Sequence, residues 1–140
     1  MYGILERQFR NYVEQALKTR GNTGEKLFSI LEKRLDNVVF RLGFVPTRPA
    51  ARQVVSHRHT FVNGKRVNIP SFQVRVGDAV TLSPKALEIP SIKKNLGEKG
   101  VKIPSWLERK GPAGRVVKDP VYEDIIEQIS MADIVEFYSR

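Results

Sequence analysis

Asn63-Gly64 stands between the apolar run Thr60-Phe61-Val62 and the returning Lys65-Arg66-Val67, and no other feature narrows the available folds as much. Both residues accept positive φ, so the pair favours a type I′ turn joining two antiparallel strands. Lys65 and Arg66 then project from the hairpin tip. Ile69-Pro70-Ser71 breaks the run, and Phe72, Val74 and Val76 alternate with Gln73 and Arg75 as a half-buried strand. Gly77-Asp78 turns the chain into Ala79-Val80-Thr81-Leu82. These pieces predict a small, mostly antiparallel sheet packed on helices, an α+β fold.

The helices precede the hairpin. Leu5, Phe9, Tyr12, Val13, Ala16 and Leu17 recur at helical spacing, with Arg7, Arg10 and Lys18 among the polar positions. Gly21 can end this helix, and Asn22 with Glu25 resembles a capping box for the next. The Gly21-x-x-Gly24 spacing could also admit a phosphate to the backbone, but alone it is a weak signal beside the cap. A second helix presents Leu27, Leu31, Leu35, Val38, Val39 and Leu42 as a core stripe and ends at Gly43. Thr47 caps a third, from about Arg48 to Ser56, with Pro49 tolerated in its first turn. Ala50, Ala51, Val54 and Val55 form its buried side. That leaves Arg48, Arg52, Gln53 and Ser56 on an outer surface near a positive helix end that attracts phosphate, with no acidic neighbour in the sequence.

Charge supplies the first functional indication. Lys and Arg number 24 against 15 Asp and Glu, a formal charge of +9. Residues 1–70 hold 13 basic and 5 acidic side chains, whereas residues 71–140 hold 11 and 10. Between Asp36 and Asp78 there is no carboxylate, yet Arg41, Arg48, Arg52, Arg58, Lys65, Arg66 and Arg75 lie there. A solvated face normally mixes both signs, so this stretch points to a polyanion, and nucleic acid is preferred. A membrane surface fits less well, because no helix joins a basic face to a bulky aromatic one.

Other classes recede. No segment is long and apolar enough to span a bilayer, and Glu6 and Arg7 fall where a secretory leader would be apolar, so a cytoplasmic location is expected. The absence of Cys removes thiolate chemistry and Cys-based zinc sites. His57 and His59 alone make a poor metal site, although on a strand they would face the same way. No nucleophile, base and orienting group can be assembled. We therefore expect no metal, no cofactor and no catalysis.

The remainder of the chain has two characters. Lys85 to Lys118 reads as a partly irregular basic excursion that packs through Trp106 and Leu107. From Asp119 to Arg140 six acids face one base. Tyr122, Ile125, Ile126 and Ile129 fit a short helix, and residues 134–138 fit either a turn or a strand. Such an acidic end is expected to pack on the first helices or against a basic neighbouring protein.

Leu35-Asp36-Asn37-Val38-Val39, Gly43-Phe44, Thr47-Arg48, Ala51-Arg52-Gln53, Val55-Ser56-His57, Val62-Asn63-Gly64, Val67-Asn68-Ile69-Pro70-Ser71 and Gly77-Asp78 occur in one order and spacing. Residues 35–82 thereby resemble the S-four RNA-binding domain, or alpha-L motif. The flanks, Tyr2-Gly3, Leu5 to Arg10, Gly21 to Glu25, Pro104 to Leu107 and Val135 to Arg140, are similar to the family of small-subunit ribosomal protein four. Two parts follow, the S-four-type domain at 35–82 and a helical and irregular subdomain made of 1–34 with 83–140.

The resemblance implies a primary binder of small-subunit ribosomal RNA at a helix junction of the 5′ domain. It further implies nucleation of assembly, a place near ribosomal proteins five and twelve, and an influence on translational accuracy. The messenger RNA of its own operon is a second target suggested by bacterial members. A stand-alone S-four-domain stress or regulatory factor is the alternative, but it would not be expected to carry these flanks. Family members usually begin with a further basic segment, in some cases holding a cysteine zinc site, whereas this sequence starts at Met1-Tyr2-Gly3. Phosphate and sugar contacts are expected from Arg48, Arg52, Gln53, Ser56, His57, Arg58, Lys65 and Arg66, with Arg7, Arg10 and Arg41 in second rank.

Overall fold

The computed structural model describes residues 6–18, 23–98 and 102–120. The Gly21 cap, the Gly21-x-x-Gly24 pair and the expected tail elements lie wholly or partly outside the described residues.

Helices α1 (Glu6–Lys18) and α2 (Thr23–Glu32) form a hairpin around Val13, Ala16, Leu27, Phe28 and Leu31. The expected second helix does not run through to Gly43. It breaks at Lys33-Arg34, and α3 (Leu35–Arg41) starts afresh. The apolar period continues across the break, but the backbone groups there are spent elsewhere. Arg34 is extended and bridges Gln73, the Leu35 amide donates to Phe72 O at 2.8 Å, and the Val74 amide donates to Lys33 O at 2.9 Å. The same bonds correct the strand expected over 72–76, which makes only this isolated bridge. Inter-element pairing has outweighed local periodicity in both segments.

Gly43 ends α3 as expected, at φ 78. Its amide donates to Phe40 O and the Phe44 amide to Val39 O, the paired bonds of a Schellman cap. Helix α4 (Arg48–Ser56) follows, with Thr47 Oγ1 accepting from the Ala50 amide at 3.2 Å.

Strands β1 (Thr60–Val62), β2 (Lys65–Arg66) and β3 (Ala79–Leu82) form as expected, with Asn63 at φ 52 and Gly64 at φ 79 in the turn. The stretch expected to be irregular is more ordered than its composition suggested. It contains α5 (Pro84–Leu87), α6 (Pro90–Gly97) and a second hairpin, β4 (Leu107–Lys110) and β5 (Ala113–Val116). The antiparallel sheet has the order β2-β1-β3-β5-β4, with Thr81 opposite Ala113 and Ala79 opposite Arg115. Its inner face, through Val62, Val80, Leu82, Leu107 and Val116, shares one core with Leu35, Val38, Val39, Leu42, Val55, Ile92 and Trp106. No helix among the described residues is long and apolar enough to cross a membrane.

Arg109 ties this second hairpin to two helices. Nη1 donates to Leu42 O at 2.9 Å and Nη2 to Leu96 O at 3.2 Å, so one guanidinium serves the C-terminal ends of α3 and α6. Beside it, Gly114 lies so close to Leu42 that a Cβ would collide with that buried side chain. Gly114→Ala is therefore expected to lower stability by about 1–3 kcal/mol through overpacking. Thermal unfolding checks this, and an unchanged melting temperature would show that Leu42 can yield.

Candidate nucleic-acid interface

The basic side chains between Asp36 and Asp78 divide into an inner and an outer set. Arg48 was expected on the outer surface of α4, but it is only 8% exposed, as is Arg41. Arg48 Nε donates to Asn37 Oδ1 at 3.1 Å and its guanidinium lies 4.5 Å from the centre of the Phe40 ring. Arg41 grips Glu32 through Nε at 3.1 Å and Nη2 at 3.3 Å, and Asn37 Nδ2 donates to the same carboxylate at 3.1 Å. A buried guanidinium needs a fixed acceptor, and both acceptors come from the α2–α3 junction.

The second inner cluster centres on Asp36. Arg34 donates to both its carboxylate oxygens at 3.0 Å, and Arg34 Nη1 reaches back to Gln8 Oε1 at 3.0 Å and Tyr12 Oη at 2.9 Å on α1. Burial works to lower the Arg34 pKa, but the hydrogen bond and charge of Asp36, with Tyr12, outweigh it and leave the pKa raised. Its stabilising effect is complete below the ordinary arginine value and fades only as pH rises through the still higher folded one. Arg52 Nε sits 3.7 Å from Asp36 Oδ2, which corrects the reading that it has no acidic neighbour. Its side chain is nevertheless 37% exposed, so it spans the boundary between scaffold and surface.

The outer set lies further along the chain. Gln53, Ser56, His57 and Arg58 at the end of α4 are exposed, as are Lys65 and Arg66 on the hairpin. His57 and His59 do not share a strand, because His57 caps α4 and the chain then turns through Arg58. His59 Nδ1 pairs with Ser83 Oγ at 3.1 Å. Arg58 adopts φ 66, while its amide donates to Val55 O at 3.0 Å and the His59 amide to Val54 O at 3.1 Å. This is a Schellman ending with arginine where glycine is usual, at a cost of roughly 1–2 kcal/mol. Strain of that kind concentrates at functional positions.

Arg66 pairs with Phe61 and its guanidinium lies 5.3 Å from that ring. Arg58 comes three residues before Phe61, just ahead of β1. Asn63 fixes the hairpin tip, since its Nδ2 donates to Asp78 Oδ1 and its Oδ1 accepts from the Ala79 amide, both at 2.9 Å. Asp78 also accepts from the Arg75 amide at 2.8 Å. The acid nearest the tip is thus committed to holding the turn. On α1, Arg7 and Arg10 are exposed, and Arg10 makes a 3.5 Å pair with Glu6.

Sequence reasoning missed Glu32, Asp36 and Asn37 as acceptors for the buried arginines. Their position beside a helical break was the available signal, but the unbroken apolar period concealed that break.

Comparison with known proteins shows the family of the chain. The S4 domain family model matches residues 33–80, and the model for the ribosomal protein S4/S9 N-terminal domain matches residues 1–32. Proteins named small ribosomal subunit protein uS4 from Xanthomonas campestris pv. campestris (strain B100) and Xanthomonas oryzae pv. oryzae (strain PXO99A) are each 49% identical over 144 residues. The alignment covers 100% of this chain and 69% of each relative. A chain matched along its whole length by such relatives, with an S4 domain joined to the N-terminal ribosomal S4/S9 domain, belongs to the small ribosomal subunit protein uS4 family.

Proposed function

We propose that this chain is a structural constituent of the small ribosomal subunit that binds ribosomal RNA through the end of α4 and the β1–β2 hairpin. The observation that carries this reading is the exposure of Arg58, Lys65 and Arg66 where α4 ends and on the hairpin that follows it, with Arg52 37% exposed on the same helix. Cations held in fixed positions suit the phosphate backbone of a folded RNA, where shape and backbone contacts outweigh base reading. Gln53, Ser56 and His57 add hydrogen-bonding groups along the same edge. Arg7 and Arg10 would widen the contact from α1. Arg41 and Arg48 hold the elements in place from within and serve the RNA face indirectly.

The family match through residues 1–32, outside the S4 domain, favours this role over a stand-alone S4-domain stress factor. The finer expectations belong to the same proposal. The RNA target is a helix junction in the 5′ domain, and a neighbouring small-subunit protein, protein five, is the protein partner. The messenger RNA of its own operon would be a second ligand of the same face. The role is binding, with no chemical step.

Arg58→Gly separates contact from stability. Glycine relieves the left-handed strain, so stability should rise by about 1 kcal/mol. Affinity for a 5′-domain transcript should fall by about 1–2 kcal/mol, and the slope of log affinity against log salt should decrease by about 1. Paired thermal unfolding and filter binding would show both effects. Unchanged affinity with raised stability would mean that Arg58 merely ends the helix.

A further inference from the structure

Between α3 and α6 the surface opens into a cavity of about 600 Å³, within the range of small-ligand sites. Phe40, Val45 and Pro46 form an apolar wall, and Ser91, Asn95 and Lys94 stand across from it on α6. Lys102 and Glu98 complete the mouth. A second cavity of about 180 Å³ shares Val45 and Ser91 with the first and reaches Gln53 and His57 on α4. The larger cavity is a groove with lysines at its mouth, and at Val45 and Ser91 it adjoins the smaller one, which lies beside the edge assigned above to RNA.

We propose that this groove receives a single unstacked nucleotide of the RNA. The proposal rests on the RNA-binding reading and deepens it. An unstacked base has apolar faces, a hydrogen-bonding edge and an attached phosphate, and the groove offers a surface suited to each. Phe40, Val45 and Pro46 provide apolar lining, Ser91 and Asn95, whose Nδ2 also donates to Phe44 O at 3.4 Å, provide polar groups, and Lys94 and Lys102 provide charge for the phosphate. The Arg48 guanidinium against the Phe40 ring stiffens that wall. Glu98 repels phosphate but accepts from a base amino group, so its presence favours a base edge near it over a second phosphate. A regular duplex keeps its bases stacked and cannot fill such a groove, so the ligand is a loop, bulge or junction nucleotide.

The test uses the full chain and two probes, a 5′-fluorescein-labelled single-stranded RNA hexamer of mixed sequence and the 5′-domain transcript. Ser91→Trp fills the groove from an exposed position, and Lys94→Ala with Lys102→Ala removes the charge without touching the core. Each variant should weaken hexamer binding by about tenfold, the scale of one stacked base or of a pair of phosphate contacts. In the unsubstituted chain the hexamer should shift the amide resonances of Val45, Ser91 and Asn95. Unaltered hexamer binding by both variants, or resonance shifts confined to the β1–β2 hairpin, would overturn the groove assignment. So would a chain that binds the transcript but not the hexamer, and that outcome would leave the ribosomal reading standing. A chain that fails to bind the transcript would overturn the ribosomal reading itself.

Discussion

Asp36→Ala should lower the unfolding free energy by about 3–5 kcal/mol, because it leaves the buried Arg34 guanidinium without its counter-charge. Asp36 is a 3% exposed carboxylate that accepts from Arg34 Nε and Nη2 and from the Asn37 amide, with Arg52 at 3.7 Å. Tyr12 and Gln8 would still accept from Arg34, but a phenol and an amide do not replace the carboxylate. Urea unfolding of the variant measures the loss. Arg34→Met combined with Asp36→Leu should cost much less than the sum of the single changes, since an apolar pair leaves no orphaned charge. A loss below about 1 kcal/mol for Asp36→Ala would show that water reaches the cluster and screens it.

The effect should extend to RNA binding. Asp36 joins α1, through Arg34, to Arg52 on α4, so one carboxylate fixes both the helical hairpin and a cation at the proposed interface. Affinity of the Asp36→Ala chain for RNA should fall, although deleting a negative charge by itself favours phosphate binding.

Trp106→Ala should cost a similar amount, about 3–5 kcal/mol, by opening a cavity where α6, the β4–β5 hairpin and the main core meet. Trp106 is 1% exposed, and its carbonyl accepts from the Val117 amide at 3.0 Å. The loss should be cooperative, because Trp106 shares its core with Leu42, Val80 and Ile92. Coincident transitions by circular dichroism and by NMR of the β1–β2 hairpin would confirm a single unit. Separate unfolding of the second hairpin, with the first intact, would contradict it.

How much could be read from the sequence depended on whether a local rule acted alone. Asn63-Gly64, Thr47 before Arg48, and Gly43 after Leu42 each carry their own stereochemistry, and all three appear as expected. The break at Arg34 was hidden, because Leu27 to Leu42 keeps a helical period whether or not the helix is continuous. What breaks it is the backbone of residues 70–74, distant in sequence. The β4–β5 hairpin was hidden for a related reason. Gly111 at φ 56 makes its turn, but Lys, Arg and Gly around it read as an excursion until β3 supplies a partner strand.

The candidate site followed the same division. Lys65 and Arg66 were legible because a tight turn dictates their exposure, and Gln53 and Ser56 because they lie off the apolar side of α4, whereas the ending of that helix at His57 and Arg58 was not, since arginine stands where glycine is usual. Arg48 was not, because helical spacing alone does not reveal that Asn37 and Phe40 wait beneath it. The long side chain of arginine can serve either side of a helix, and a buried acceptor decides which.

On the function proposed above, this chain selects small-subunit ribosomal RNA through a fixed set of phosphate contacts. A filter-binding titration against the 5′-domain transcript, with a large-subunit fragment and transfer RNA as competitors at two salt concentrations, tests it most directly. Binding should be selective for the transcript and should weaken steeply as salt rises, in proportion to the phosphates contacted. Equal binding to all three RNAs would contradict it.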